Sequence, residues 1–123
     1  MIKGLVFVFV GGGLGSVVRF LIGRSLNQSI PYGTFVANMV GSLLIGLAMG
    51  YILREGTSQN NIHLLLIAGF CGGFTTFSAF AFENYAFIKN GDLLHFASYA
   101  LLSVALGIVA VVFGIFLSKF LPS

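Results

Sequence analysis

The sequence predicts an all-α integral membrane protein of one domain, residues 1–123, with four transmembrane helices, and three observations carry that prediction. Apolar residues make up 58% of the 123 and charged residues only 7%, with mean hydropathy +1.05, whereas an average soluble domain is about 25% charged. Charges and turn residues divide the chain into four apolar blocks, each near the roughly 17 to 25 residues that cross a hydrocarbon core of about 30 Å. Small residues recur four apart inside these blocks, as Gly11 with Gly15, Gly12 with Ser16, Ala37 with Gly41, and the series Ser42, Gly46, Gly50, a spacing that lets membrane helices approach closely.

The first span covers residues 4–26. It is free of charge from Gly4 to Val18, and Arg19 and Arg24 lie near its far end, where long basic side chains reach head groups or a water-filled vestibule. Its start, Met1-Ile2-Lys3 before an apolar run, resembles a secretory signal, but no small-residue cleavage site leads into a polar segment. A turn at Asn27-Gln28-Ser29-Ile30-Pro31 leads to the second span, residues 33–53, and no charge occurs between Arg24 and Arg54. The polar stretch from Arg54 to Asn61 is a connector. The third span, residues 62–88, has Gly69, Gly72, Gly73, Thr75 and Thr76 crowded into its middle, and a break in the helix is expected there. Lys89-Asn90-Gly91-Asp92 makes the next turn, and the fourth span, residues 93–117, is uncharged until Lys119.

Lys3, Arg54 and Lys119 fall on one side of the membrane, and Arg24 and Lys89, with Arg19 nearest them, on the other. Orientation follows the Lys and Arg bias, which is close to nil here. A chain without a preferred orientation inserts both ways, and two opposed copies can pair about a two-fold axis in the membrane plane.

Several function classes fall away. Cys71 is the only cysteine, so a disulfide framework or cysteine-rich zinc site is excluded, and a free buried thiol is expected. The isoelectric point near 9.4 rests on scattered basic residues, without a cluster to track nucleic acid. Gly11-Gly12-Gly13-Leu14-Gly15 lacks the Lys and Ser or Thr of a phosphate loop. His63 and His95 belong to different spans and have no metal-ligand or nucleophile-elbow spacing, so they are read as interfacial and the chain as no enzyme.

The polar residues inside the spans are mostly neutral. Thr34, Asn38 and Ser42 are four apart on one helical face, and Tyr99 and Ser103 form a similar pair. Each donates a hydrogen bond without negative charge, so a line of them can replace hydration around an anion; hydrogen bonding between helices is the alternative. Phe77 and Phe80, three apart, can offer positive ring edges to an anion or simply pack. Carbonyls freed at the glycine-rich break need burial or an occupant, either a cation such as Na⁺ or a close helix crossing. Glu83, the one acid far from a loop, is a functional candidate by default, as a vestibule residue paired with an Arg or as a proton relay.

Together Gly11 to Arg19, Gly33 to Ser42, and above all Gly69-Phe70-Cys71-Gly72-Gly73-Phe74-Thr75-Thr76-Phe77-Ser78 with Glu83 beyond resemble the Fluc (CrcB) fluoride channels of bacteria over essentially the whole chain. The resemblance implies an antiparallel, dual-topology homodimer in the inner (plasma) membrane. It would carry two pores for passive fluoride export and a central structural Na⁺ held by the Gly72 and Thr75 carbonyls. It also implies pore roles for Phe77, Phe80 and Asn38, a polar track of Thr34, Tyr99 and Ser103, Glu83 at the mouth, and Arg19 in the vestibule. Some family members carry a further hydroxyl one turn past position 103, where this chain has Gly107. The main rival is a four-span multidrug transporter, which needs a carboxylate in its first helix; the first span here has neither Asp nor Glu. A structural membrane subunit leaves the Thr34 and Asn38 line without a purpose.

Overall fold

The computed structural model describes residues 1–56 and 60–122. Helix α1 spans Ile2–Leu26 and α2 spans Tyr32–Glu55. The third span begins as α3 (Asn61–His63), widens into a π-helical stretch at Leu64–Cys71 and closes as α4 (Gly72–Phe74). After two extended residues, α5 (Phe77–Lys89) resumes, and α6 (Leu93–Leu117) ends in a 3₁₀ turn at Ser118–Phe120. There is no β-strand among the described residues, and four helical stretches are long and apolar enough to cross a membrane. Residues 57–59 of the connector between Arg54 and Asn61 lie outside the described residues.

Local chemistry explains the element ends. Gly56, at φ 65°, takes the left-handed conformation that stops α2 just past the expected residue 53. Asn60 opens α3 with a reciprocal capping box to His63. The Asp92 carboxylate accepts from the His95 backbone N–H at the start of α6. His63 and His95 are therefore both engaged at helix starts, at the span edges.

Glycine decides how the helices cross. A Cβ on Gly11 would strike the Leu65 carbonyl, and one on Gly15 the Phe70 carbonyl, so α1 lies backbone to backbone against the third span. The same holds for Gly46 against Val111 and Gly114 against Leu43, which join α2 to α6. Contacts rise together in number along each pair: Gly4 meets Leu64, Gly11 meets Leu65, and Gly15 meets Phe70 and Phe74. Each pair is therefore parallel. Arg54 donates to the Ser118 and Leu121 carbonyls, which ties the C-terminal ends of α2 and α6 together. Lys3, Arg54 and Lys119 accordingly share one end of the bundle, opposite Arg24 and Lys89.

Little side-chain core results. The buried apolar residues are Ala37, Cys71 and Phe74, and no large side chain is fully buried among the described residues. Along α6, Leu101, Val104, Ile108 and Val112 all face outward. Leaving such side chains in water would forgo about 1.5–3 kcal/mol each, so lipid or another chain must cover them.

Candidate functional site

The interruption at Thr75 and Thr76 organises the polar groups inside the bundle. Thr75 (φ −86°, ψ 156°) and Thr76 (φ −151°, ψ 120°) are both extended, and their neighbours take over the lost helical hydrogen bonds. Thr75 directs its N–H and its hydroxyl to the Cys71 carbonyl, at 3.1 and 2.8 Å. Thr76 caps α5, its hydroxyl accepting from the Ala79 N–H at 3.2 Å. From α2, the Asn38 amide faces the Thr76 peptide: its oxygen accepts from the Thr76 N–H at 2.8 Å and its nitrogen donates to the Thr76 carbonyl at 3.2 Å. From α1, Arg19 Nε and Ser16 Oγ donate to the Gly73 carbonyl at 3.2 and 3.4 Å.

Two carbonyls lose their usual donors. The N–H four residues after Gly72 belongs to Thr76 and goes to Asn38, and the N–H four after Thr75 belongs to Ala79 and goes to the Thr76 hydroxyl. Carbonyl oxygen is a hard ligand suited to an ion such as Na⁺ or Ca²⁺, so the donor set fits an alkali cation. No cluster of His, Cys, Asp or Glu able to hold a metal occurs among the described residues.

A cleft of about 380 Å³ opens beside this segment, between α2, α5 and α6. Asn38 and Ser42 line it from α2, Phe77 and Phe80 from α5, Ser103 and Gly107 from α6, and Cys71, Gly72, Thr75 and Thr76 from the interrupted span. The Phe77 and Phe80 rings are 5.9 Å apart and tilted by 49°. Phe77 is 79% exposed within the single chain, so its ring is free to meet an ion or a second chain. Phe80 leans on the Tyr99 ring at 5.0 Å. Ser103 Oγ is buried with no hydrogen-bond partner among the described residues.

Glu83 forms a second cluster at the Arg24 end. Its carboxylate accepts from the Thr34 hydroxyl at 2.6 Å and from the Tyr99 hydroxyl at 2.8 Å. Among the described residues no Arg pairs with Glu83, a pairing that was one of the two expectations for it; Arg19 is drawn to the Gly73 carbonyl at the end of α4, where a cation complements the helix dipole. Arg19 also borders a separate cavity of about 300 Å³ with Arg24, Asn27 and Thr34. The proposed pore residues thus fall into two groups: Phe77, Phe80, Asn38 and Ser103 on the cleft, and Thr34, Tyr99 and Glu83 in the carboxylate cluster. The Phe80 to Tyr99 contact links them.

Two residues do more than their place in the sequence suggests. Asn27 looks like a turn residue, yet its amide donates to the Thr34 hydroxyl and accepts from the Thr34 N–H, both at 3.1 Å. That contact leaves the single Thr34 proton pointing at Glu83. Thr76 reads in the sequence as part of the expected helix break, and in the structure it supplies both the α5 cap and the peptide that holds Asn38. Asn followed seven residues later by Thr across a Pro turn was the only signal for the first.

The family described as CrcB-like protein, Camphor Resistance (CrcB), matches residues 6–115. A protein of Gloeothece citriformis named fluoride-specific ion channel FluC is 43% identical over 119 residues, covering 94% of this chain and 96% of its own. One of the same name from Flavobacterium psychrophilum is 40% identical over 121 residues, covering 95% and 98%. Another, from Phocaeicola vulgatus, is 43% identical over 122 residues, covering 95% and 99%.

Proposed function

The chain belongs to the CrcB family, and from that membership we propose that this multi-pass membrane protein is a fluoride-selective channel giving passive, gradient-driven fluoride export. The observation that carries the reading is the convergence of Asn38, Ser103, Phe77 and Phe80 on one cleft whose described lining contains no carboxylate. Neutral donors and ring edges suit an anion, whereas a cation site would need the opposite polarity.

Fluoride is small and tightly hydrated, so stripping its water in a poor site costs heavily. Close donors and ring edges offset that cost where the ion fits; chloride, being larger, does not reach them together. The Ser103 hydroxyl, buried without a partner among the described residues, has a proton free for an anion in the cleft that Ser103 lines. One Asn38 amide hydrogen, with the other on Thr76, is free for the same ion. At the mouth, Thr34 and Tyr99 hold Glu83 by both oxygens, which keeps the lone embedded acid from facing the cleft. Conduction needs no bond-making step, and the chain is a channel rather than an enzyme.

The working unit is an antiparallel, dual-topology homodimer with two pores in the bacterial inner membrane, with lipid covering its outer faces and fluoride as the permeating ion. Support comes from the balanced Lys and Arg distribution and from the uncovered apolar faces of α5 and α6. A structural Na⁺ on the dimer axis would be held by the Gly72 and Thr75 carbonyls, where it supplies positive charge that ties the interrupted spans of the two copies together. Purified protein in liposomes tests the function. Fluoride efflux, followed by an ion-selective electrode with valinomycin to balance charge, should be rapid while chloride efflux is negligible. A folded dimer that releases neither ion would refute the reading.

A further inference from the structure

We propose that Ser42, on α2, is an additional pore donor that serves the stretch of the cleft where α6 offers none. The inference rests on the channel reading above. Along α6 the donor line reaches Ser103, which lines the cleft and whose buried hydroxyl has no partner among the described residues. The next position on that face, four residues on, is Gly107, which has no side chain. Without another donor, an anion leaving Ser103 would cross about one helical turn, roughly 5.4 Å, against bare backbone and Met39.

Ser42 fills that gap from the opposite wall. A Cβ built on Gly107 would lie 3.8 Å from Ser42 Oγ and 3.6 Å from Met39 Cε, both ordinary contact distances. The missing side chain of residue 107 and the hydroxyl of Ser42 therefore address the same space. Ser42 also follows Asn38 by one turn on the same face of α2, and both border the cleft. A helical serine often folds its hydroxyl onto the carbonyl four residues earlier, as Thr75 does onto Cys71 at 2.8 Å. Ser42 makes no such bond to Asn38, so its O–H is free to turn to an ion. The donor path crosses from Ser103 on α6 to Ser42 on α2.

The test is a rescue across the cleft, measured as fluoride efflux from liposomes, with size-exclusion elution as the check on assembly. Ser42→Ala should lower fluoride efflux about tenfold to a hundredfold, the loss expected for one hydrogen bond to a charged group. Ser42→Thr, which keeps the hydroxyl, should retain wild-type flux. Adding Gly107→Ser to Ser42→Ala should restore most of the flux by supplying the hydroxyl from α6, where the open contacts leave room for a side chain. Wild-type flux in Ser42→Ala would overturn the inference and leave the channel reading intact. A loss that neither Ser42→Thr avoids nor Gly107→Ser repairs would make Ser42 a packing residue and overturn it too. Absence of fluoride flux in the wild type would remove both readings.

Discussion

Replacing Asn38 with alanine separates two roles for that side chain. Its amide satisfies the Thr76 N–H at 2.8 Å and the Thr76 carbonyl at 3.2 Å, so it braces the interrupted span as well as bordering the cleft. Truncation would leave the half-buried Thr76 N–H without its protein partner, a penalty of about 1–3 kcal/mol whose upper end applies to a fully buried group, and would remove a second bond worth about 0.5–1.5 kcal/mol. Asn38→Ala should therefore destabilise each chain by roughly 1.5–4.5 kcal/mol, read as a lower midpoint of unfolding in mixed detergent. Asn38→Asp keeps the acceptor for the N–H but sets a carboxylate against the Thr76 carbonyl, so it should fall between wild type and alanine in stability and conduct little fluoride. If Asn38→Ala unfolds at the wild-type midpoint and loses only flux, the brace is not real and Asn38 acts on the ion alone.

Other changes probe the remaining parts. Phe80→Ile preserves apolar bulk but removes the ring edge beside Tyr99; fluoride flux should drop about tenfold or more, on the scale of one contact to a charge, with dimer elution unchanged, and full flux would exclude the ring-edge mechanism. Gly114→Ala drives a Cβ into the Leu43 carbonyl and Leu47 amide; because backbone cannot yield as a side chain can, a loss of about 1–3 kcal/mol is expected, visible as a lower thermal midpoint. Exchanging Na⁺ for N-methylglucamine should weaken dimer association and flux together; equal stability in both salts would count against the carbonyl site. Two copies fused so that they must lie antiparallel should conduct, whereas a parallel fusion should not; equal conduction would sink the dual-topology claim.

Four apolar spans and the turns between them were legible in the sequence because hydropathy and charge act locally, over a window the length of one helix. The small-residue spacing likewise marked which faces would pack: Gly11, Gly15 and Gly46 all sit at backbone crossings. It did not say which helix each would meet. That α1 runs parallel to the third span and α2 parallel to α6 depends on contacts between residues far apart in the chain. Thr34, Asn38 and Ser42 shared one predicted face, yet their partners differ: Thr34 binds Glu83, Asn38 binds the Thr76 peptide, and Ser42 faces Gly107.

The partners were invisible for a physical reason. A side chain's hydrogen bond is settled by whichever donor or acceptor the fold brings within about 3 Å, and for Arg19 and Gly73 that partner lies 54 positions away. Composition and periodicity by themselves determined a membrane-embedded helical bundle with neutral donors and aromatic rings along its spans. Tertiary structure alone decided that Arg19 would hold a carbonyl rather than Glu83, that Asn27 would aim the Thr34 proton, and that the cleft would form beside Thr75 and Thr76. Those outcomes come from competition among partners in three dimensions, which no one-dimensional pattern records.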